Sequence, residues 1–458
     1  MYHIDFNHPV HVHFIGIGGI SMSGLAEILL NRHFTVTGSD ARKSELTTHL
    51  EEKGASVIYG QTAQNITPHI DVVVFTAAIH EDNPELAAAR AQNIPCLTRA
   101  QLLGQIMRNY PTPVAVSGTH GKTTTTSMIS EILLAADTDP TLSVGGILSS
   151  IHGNIRVGKS PLFVTEACEY TNSFLSFYPK ISLILNIEAD HLDFFKDIQD
   201  IRHSFQKFAS LLPKDGTLII NGDISNLSEI TGTLECRVIT YGREASFDYY
   251  PENITYDHFA RPAYDLCHNG RRERITLGVP GEHNIYNSLA AAALADVLGI
   301  SMQHIKTALA SFHGTDRRFQ LKGTANGVTI IDDYAHHPTE IGATLSAAAN
   351  YPHRKLWCVF QPHTYTRTKA FLPEFARALC AADHVVLADI YAARETDNLG
   401  ISSQTLQKKI QELGTACDYF PSFEQIELFL EKNCSPGDLL ITMGAGDVVN
   451  IGENLLKK

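Results

Sequence analysis

The sequence predicts an α/β protein built as three successive domains, each on a largely parallel sheet. Three observations lead there. Short apolar, β-branched runs alternate with helix-spaced segments along most of the 458 residues, which is the pattern of strands joined through helices. Glycine-rich turns stand at three strand-to-helix junctions: Gly16-Ile17-Gly18-Gly19, Gly118-Thr119-His120-Gly121 and Gly444-Ala445-Gly446. The length also exceeds what a single hydrophobic core ordinarily serves. The first and last units read as Rossmann-like and the middle one as an α/β unit around a phosphate loop, with divisions expected at residues 1–109, 110–315 and 316–458.

In the first unit Val10, Val12, Phe14 and Ile15 form a strand, the glycine turn follows, and Met22, Leu25, Ala26 and Leu29 continue at helical spacing. The alternation goes on through a strand at 34–37 ending in Gly38-Ser39-Asp40, a helix near 46–53, a strand at 72–76, a helix after Pro84 and a strand at 94–97. The turn resembles a dinucleotide fingerprint, and Asp40 lies roughly where a ribose-binding acid is expected. Ser21 replaces the third glycine, so the expectation is a nucleotide or nucleotide-sugar site, with Gly16, Gly18, Gly19, Ser39 and Asp40 at the carboxyl ends of the strands.

Tyr110-Pro111-Thr112-Pro113 reads as a linker, because two prolines interrupt the pattern. Val114 and Val116 then predict a buried strand, Gly118 and Gly121 a tight loop, and Met128, Ile129, Ile132 and Leu133 a helix running from Lys122. Such a loop offers backbone N–H groups and a helix N-terminus to anionic oxygens. Lys122 adds a mobile charge for β- and γ-phosphates and Thr123 a hydroxyl for Mg²⁺, although Val116 stands where the usual pattern has its first glycine. Strands at 162–165 and 181–186, a polar excursion over 246–274, and helices at 284–298 and 302–311 complete the unit.

Gly314-Thr315-Asp316-Arg317-Arg318-Phe319 marks the next boundary. Beyond it the pattern predicts strands at 328–331, 356–360, 385–387 and 439–442 and helices at 338–349 and 369–381.

Composition narrows the function. With 49 acidic and 36 basic residues the net charge is −13, which argues against nonspecific nucleic-acid binding and requires any anionic ligand to be held by local clusters. No apolar run of about 18 residues occurs and no basic stretch precedes an apolar one at the start, so no membrane segment and a cytoplasmic location are expected. The eight cysteines show no paired short spacing, so they read as reduced thiols rather than a zinc or disulfide framework.

Chemistry-bearing groups gather at strand ends. Glu166 follows an apolar strand in Phe163-Val164-Thr165-Glu166-Ala167-Cys168-Glu169, and Asp190-His191-Leu192-Asp193 follows the strand ending at Asn186. A carboxylate placed there, beside the phosphate loop, can hold Mg²⁺ directly or through water, whereas His191 suits Mg²⁺ less well. Asp332-Asp333-Tyr334-Ala335-His336-His337-Pro338 and Gln361-Pro362-His363-Thr364-Tyr365-Thr366-Arg367 form two further junctions whose titratable groups suit a site better than packing. Each histidine alone is equally well read as a hydrogen-bonded loop residue.

Taken in order, Gly16-Ile17-Gly18-Gly19, Gly118-Thr119-His120-Gly121-Lys122-Thr123, Glu166, Asp190-His191-Leu192-Asp193, His283-Asn284-Ile285-Tyr286-Asn287, Arg317-Arg318-Phe319 and Asp332-Asp333-Tyr334-Ala335-His336-His337-Pro338 resemble the Mur ligase family over essentially the whole chain. That family joins amino acids to the peptidoglycan precursor. The resemblance implies a UDP-sugar, UDP-N-acetylmuramate, on the first domain, ATP on the second and the incoming amino acid, L-alanine, on the third.

It further implies an ATP site of Gly118, Thr119, His120, Gly121, Lys122, Thr123, Thr124, Asn284, Asn287, Arg318 and Asp333, with Lys122, Glu166, His191, Arg318 and Asp333 catalytic. Thr123 and Glu166 become ligands of Mg²⁺ or Mn²⁺ and His191 a ligand of a second ion, while Tyr334, His336, His337, His363 and Arg367 face the amino acid. Read from residue type alone, Asn284 and Asn287 are equally helix caps. Cys168 stands where relatives often carry an acid, and Lys207 is out of phase with the carbamylated lysine of some relatives, so that role is not carried over.

The implied chemistry fits the residues: ATP converts a carboxylate to an acyl phosphate, the amine attacks, and phosphate leaves. The amine proton needs an acceptor, with His336, His337 and His363 as candidates. Competing readings are a recycling ligase that attaches a tripeptide, a nucleotide-regulated binding protein without turnover and a nicotinamide oxidoreductase. The stretch Gly16-Ile17-Gly18-Gly19-Ile20-Ser21-Met22-Ser23-Gly24 looks more like that of family members using L-alanine.

Overall fold

The structure is a computed structural model and describes residues 2–76 and 78–458. Three main sheets follow one another along the chain. The first has five parallel strands in the spatial order Ser56–Tyr59, Thr35–Asp40, His11–Ile15, Val72–Phe75, Cys96–Thr98. Its strand order reverses beside His11–Ile15, so the glycine turn stands at a topological switch point, where open α/β sheets bind ligands. The period-two alternation decides the packing: Val12, Phe14, Val72 and Val74 enter one core, Ile15 and Val73 the core on the opposite face.

The central sheet runs Arg237–Tyr241, Thr217–Asn221, Ile181–Ile184, Thr112–Ser117, Leu162–Ala167, Thr141–Leu148, Gly153–Arg156, with only the last strand antiparallel. The expected linker is not free chain: its strand begins at Thr112. Pairing to Ile181–Ile184 starts only at Val114, so no rung of that ladder needs the N–H that Pro113 lacks. Tyr110 is buried, stacked on Phe163 at 5.0 Å, with its hydroxyl 3.1 Å from Thr141 Oγ1. Helix Lys122–Ala135 packs against helix His283–Val297, whose Ala290, Ala291, Ala292 and Ala293 are all buried.

The polar excursion is itself an antiparallel sheet of Tyr250–Tyr256, Pro262–His268 and Arg271–Thr276. Tyr264, Leu266 and Ile275 alternate inward onto the central core while charged neighbours face water, a period-two signal hidden by the overall polarity.

The third sheet runs Gln320–Ala325, Val328–Asp333, Leu439–Met443, Leu356–Phe360, His384–Leu387, Ala416–Tyr419, with the first strand antiparallel. Its opening hairpin turns at Asn326 and Gly327, with φ of 51° and 78°, the left-handed pair such a two-residue turn demands. The single helix expected at 369–381 is two, Tyr365–Ala370 and Leu372–Leu379, broken at Phe371 because Pro373 starts a new first turn.

Candidate active site

The phosphate loop is shaped by what it must avoid. Gly118 and Gly121 have φ of +143° and +83°, and a Cβ on them would stand 2.9 Å from Leu185 Cβ and 2.6 Å from Asn287 Oδ1. Asn186 clamps the loop, accepting from His120 N at 2.7 Å and donating to His120 O at 3.0 Å. Helix Lys122–Ala135 begins without a side-chain cap, which leaves its first N–H groups directed at the loop.

Lys122 is not the mobile, exposed cation expected. Its side chain is 16 % exposed, and Nζ donates to Glu169 Oε2 at 2.9 Å, to Thr119 O at 3.1 Å and to Gly118 O. Burial opposes the charge, but Glu169 prevails and the ammonium is held above its ordinary range. Beside it Thr123 Oγ1 donates to Glu166 Oε2 at 3.1 Å, and burial raises the Glu166 carboxyl despite a bond from Gly145 N. Among the described residues Glu169 Oε1 is buried without a hydrogen-bond partner, 3.8 Å from His191 Nε2. Hard oxygens, a raised carboxyl and an orphaned carboxylate oxygen together suit a divalent cation. Sequence reasoning missed Glu169; its signal was its place three residues after Glu166 in the same strand-end stretch.

A cavity of about 470 Å³ opens between the central and third sheets, and it brings His120, Gly121, Thr124, Asn284, Asn287, Arg318 and Asp333 together. The cap of helix His283–Val297 is Glu282, so Asn284 and Asn287 are not caps: Asn284 Nδ2 donates to Pro280 O at 2.7 Å and Asn287 Nδ2 to Asn284 Oδ1 at 3.0 Å. The wall of Tyr241, Arg243 and Tyr286, with Arg243 5.4 Å from the Tyr286 ring, was not anticipated. Burial raises Asp333 to about 6, against Arg318 and bonds from Ala335 N and Phe319 N. Tyr334 lies under Arg317 and Arg318 at 5.0 and 5.2 Å, and Arg317 fixes the third glycine turn through Gly444 O and Gly446 O.

A second cavity of about 310 Å³ is lined by Tyr170, Asp190, His191, His363, Arg367 and Arg394 among others. Here Arg367 crosses from the third unit to bind Asp190 of the central one through Nε at 3.1 Å and Nη2 at 2.9 Å, and its Nη1 donates to His363 Nδ1 at 3.1 Å. Burial works against the Asp190 charge, but the Arg367 guanidinium holds the carboxyl well below the usual range. Burial also drives His363 and His336 down to about 4, so both are neutral at pH 7.

Imidazoles link the two cavities. The His120 and His337 rings are 4.7 Å apart, those of His336 and His363 5.7 Å, and Glu340 reaches both His120 Nδ1 at 3.2 Å and His336 N at 3.1 Å. Burial disfavours charge on His120, yet Glu188 and Glu340 outweigh it and raise the ring to about 9. His337 uses both nitrogens, accepting from Thr339 N at 3.4 Å as a helix cap and meeting Ala189 O at 3.1 Å. Tyr334, His336 and His337 line neither cavity wall.

Gly16, Gly18, Gly19, Ser39 and Asp40 also line neither of these cavities. Ser39 is fully buried and donates to Glu85 at 2.5 Å, while Asp40 Oδ2 accepts from Gly18 N at 2.8 Å and so closes the turn itself. A serine at a strand end looks like a ligand contact, but an acid 46 residues later claims its hydroxyl.

A phosphate loop facing a third unit's acids, arginines and imidazoles across a cleft defines a multidomain enzyme of phosphoryl-transfer type. Three family models match in succession: the Mur ligase family catalytic domain over residues 11–111, the Mur ligase middle domain over 116–295 and the Mur ligase glutamate ligase domain over 317–446. The chain belongs to the Mur ligase family. It is 64 % identical over 459 residues, with both chains fully covered, to a protein of Agathobacter rectalis named UDP-N-acetylmuramate--L-alanine ligase, and 62 % identical, again with full coverage, to one of the same name from Lachnospira eligens. Among solved structures it superposes on the UDP-N-acetylmuramate-alanine ligase of Thermotoga maritima with TM-score 0.80 at 29 % identity, covering 98 % of each chain, and on a murein peptide ligase of Psychrobacter arcticus with TM-score 0.71 at 25 % identity, also covering 98 % of each.

Proposed function

We propose that this chain is an ATP-dependent ligase that joins L-alanine to the carboxylate of UDP-N-acetylmuramate, giving ADP and phosphate, in peptidoglycan precursor synthesis. The observation that carries this reading is full-length identity of 64 % to a ligase of that name. The divisions at residues 1–109, 110–315 and 316–458 belong to the same reading, with the sugar nucleotide on the first unit, ATP on the second and the amino acid on the third. Consumption of ATP and a nucleotide sugar places the work in the cytoplasm. Among the described residues no helix is long and apolar enough to cross a membrane.

ATP lies in the larger cavity, its base against Tyr241, Arg243 and Tyr286 and its phosphates toward the loop Gly118 to Thr124, of which His120, Gly121 and Thr124 line the cavity. Lys122, desolvated and held in place by Glu169, meets the charge that moves with the γ-phosphoryl group, and Arg318 closes on it from the third unit. Thr123 and Glu166 would hold Mg²⁺, with His191 and Glu169 next to it, and the ion would supply charge neutralisation on the transferring phosphate. The second cavity receives the amine near His363 and Arg367.

Tautomers then choose among the proton acceptors. His363 Nδ1 accepts from Arg367, so its proton is on Nε2; His337 has both nitrogens engaged. His336 Nδ1 donates to Tyr334 O at 3.0 Å, which leaves Nε2 an acceptor with no hydrogen-bond partner among the described residues; its ring stands 5.7 Å from that of His363, behind the cavity wall, and in this reading it takes the amine proton from there.

A competition among amines tests the assignment. With the sugar nucleotide, ATP and Mg²⁺ present, mass analysis should show L-alanine coupled in preference to D-alanine and a tripeptide. Preference over glycine should be modest, about tenfold, because one buried methyl is worth about 1 kcal/mol. Larger amines are rejected more steeply by clashes. Faster coupling of the tripeptide would make the recycling ligase correct.

A further inference from the structure

We propose that His120, Glu188 and His337 form a binding site for a transition-metal dication of the Zn²⁺ class, separate from the Mg²⁺ position at Thr123 and Glu166. One ligand atom from each of the three lies within 4.8 Å of the others. Two imidazoles and one carboxylate are a zinc donor set and a poor one for Mg²⁺, which prefers oxygen. In a tetrahedral centre with ligands at about 2.0–2.2 Å, neighbouring ligand atoms are about 3.4 Å apart, so side-chain rotations of little more than an ångström close the site.

The surroundings are built for a cation. His120 Nε2 is buried, 3.5 Å from Glu188 Oε2, and makes no well-formed hydrogen bond among the described residues. The other nitrogen of that ring faces Glu340 at 3.2 Å, the carboxylate-on-imidazole arrangement that fixes ring orientation at metal centres. His337 can turn Nε2 to the ion by releasing Ala189 O; the ring proton then moves to Nδ1, which gives up its 3.4 Å bond from Thr339 N. Glu188, with 37 % of its side chain exposed, lines the larger cavity together with His120 and gives the ion a way in from it.

The three ligands come from the phosphate loop, the segment after strand Ile181–Ile184, and the cap of helix Pro338–Ala349. An ion there pins the loop to the third unit, and on the ligase reading it would oppose ATP and raise the KM for ATP.

The test is titration of the full-length protein with Co²⁺ alone, without nucleotide, followed by displacement with Zn²⁺. One Co²⁺ per chain should give the intense visible absorption of a four-coordinate ion. Glu188→Gln, which keeps the side-chain volume and an oxygen for Thr339 Oγ1, and His337→Gln should each weaken affinity on the order of 100-fold, at the upper end of what losing even an outer partner costs. Glu166→Gln should leave it unchanged. A purely six-coordinate spectrum, or a signal abolished by Glu166→Gln and indifferent to Glu188→Gln, would overturn the site. Because no substrate is present, that failure leaves the ligase reading standing; conversely, absence of amide product with every amine removes the ligase reading and leaves the metal site intact.

Discussion

Lys122→Ala should lower the rate of amide formation by a factor on the order of 10² or more, the loss that follows removal of a preorganised charge-stabilising donor. The buried geometry adds a second effect that an exposed lysine would not have. The substitution leaves Glu169 enclosed without its cation, at a cost of about 3–5 kcal/mol. Pairing it with Glu169→Gln removes the stranded charge, so the double variant should recover most of the melting temperature and none of the activity. Steady-state kinetics and thermal unfolding on the three proteins separate the effects. A folded Lys122→Ala variant with a near-normal rate would refute the role.

Arg367→Ala should destabilise the third unit and its seat on the central one by about 3–5 kcal/mol, because Asp190 would remain buried and unpaired. Trp357, the single tryptophan, lies in strand Leu356–Phe360 of the third sheet, so its fluorescence in denaturant reports this transition. Asp190→Asn combined with Arg367→Met should regain much of the loss. The sign of the pH dependence follows from the depressed Asp190 carboxyl: its contribution is present above the ordinary carboxylate range and is lost as pH falls through the folded value. The deficit of Arg367→Ala should therefore shrink in acid. A deficit under about 1 kcal/mol at neutral pH would show the pair to be solvated, as surface pairs are.

The parts of the fold that were legible in the sequence are those set by local periodicity. Strands His11–Ile15, Thr112–Ser117 and Leu356–Phe360 announce themselves as apolar runs before glycine turns or polar junctions. Two signals were present and went unread: Asn326-Gly327 between strands Gln320–Ala325 and Val328–Asp333, and the alternation inside the polar excursion. The phosphate loop was legible because its parts are adjacent in the chain. The partners that tune it are not: Glu340 is 220 residues from His120, and Arg367 is 177 from Asp190. Composition also misleads where burial decides, since Lys122 and Ser39 read as free polar groups and each is held by a glutamate more than 40 residues further along the chain.

Activation of the UDP-N-acetylmuramate carboxylate by ATP, for attack by L-alanine, is the step on which the ligase reaction turns. It is tested most directly by labelling that carboxylate with ¹⁸O and analysing the products of one reaction with ATP, Mg²⁺ and L-alanine by mass. An acyl phosphate carries one carboxylate oxygen to phosphorus, so one ¹⁸O should appear in the released phosphate and one should remain in the amide. Amide formed with both labels lost or with unlabelled phosphate would contradict the account, as would phosphate release without any amide.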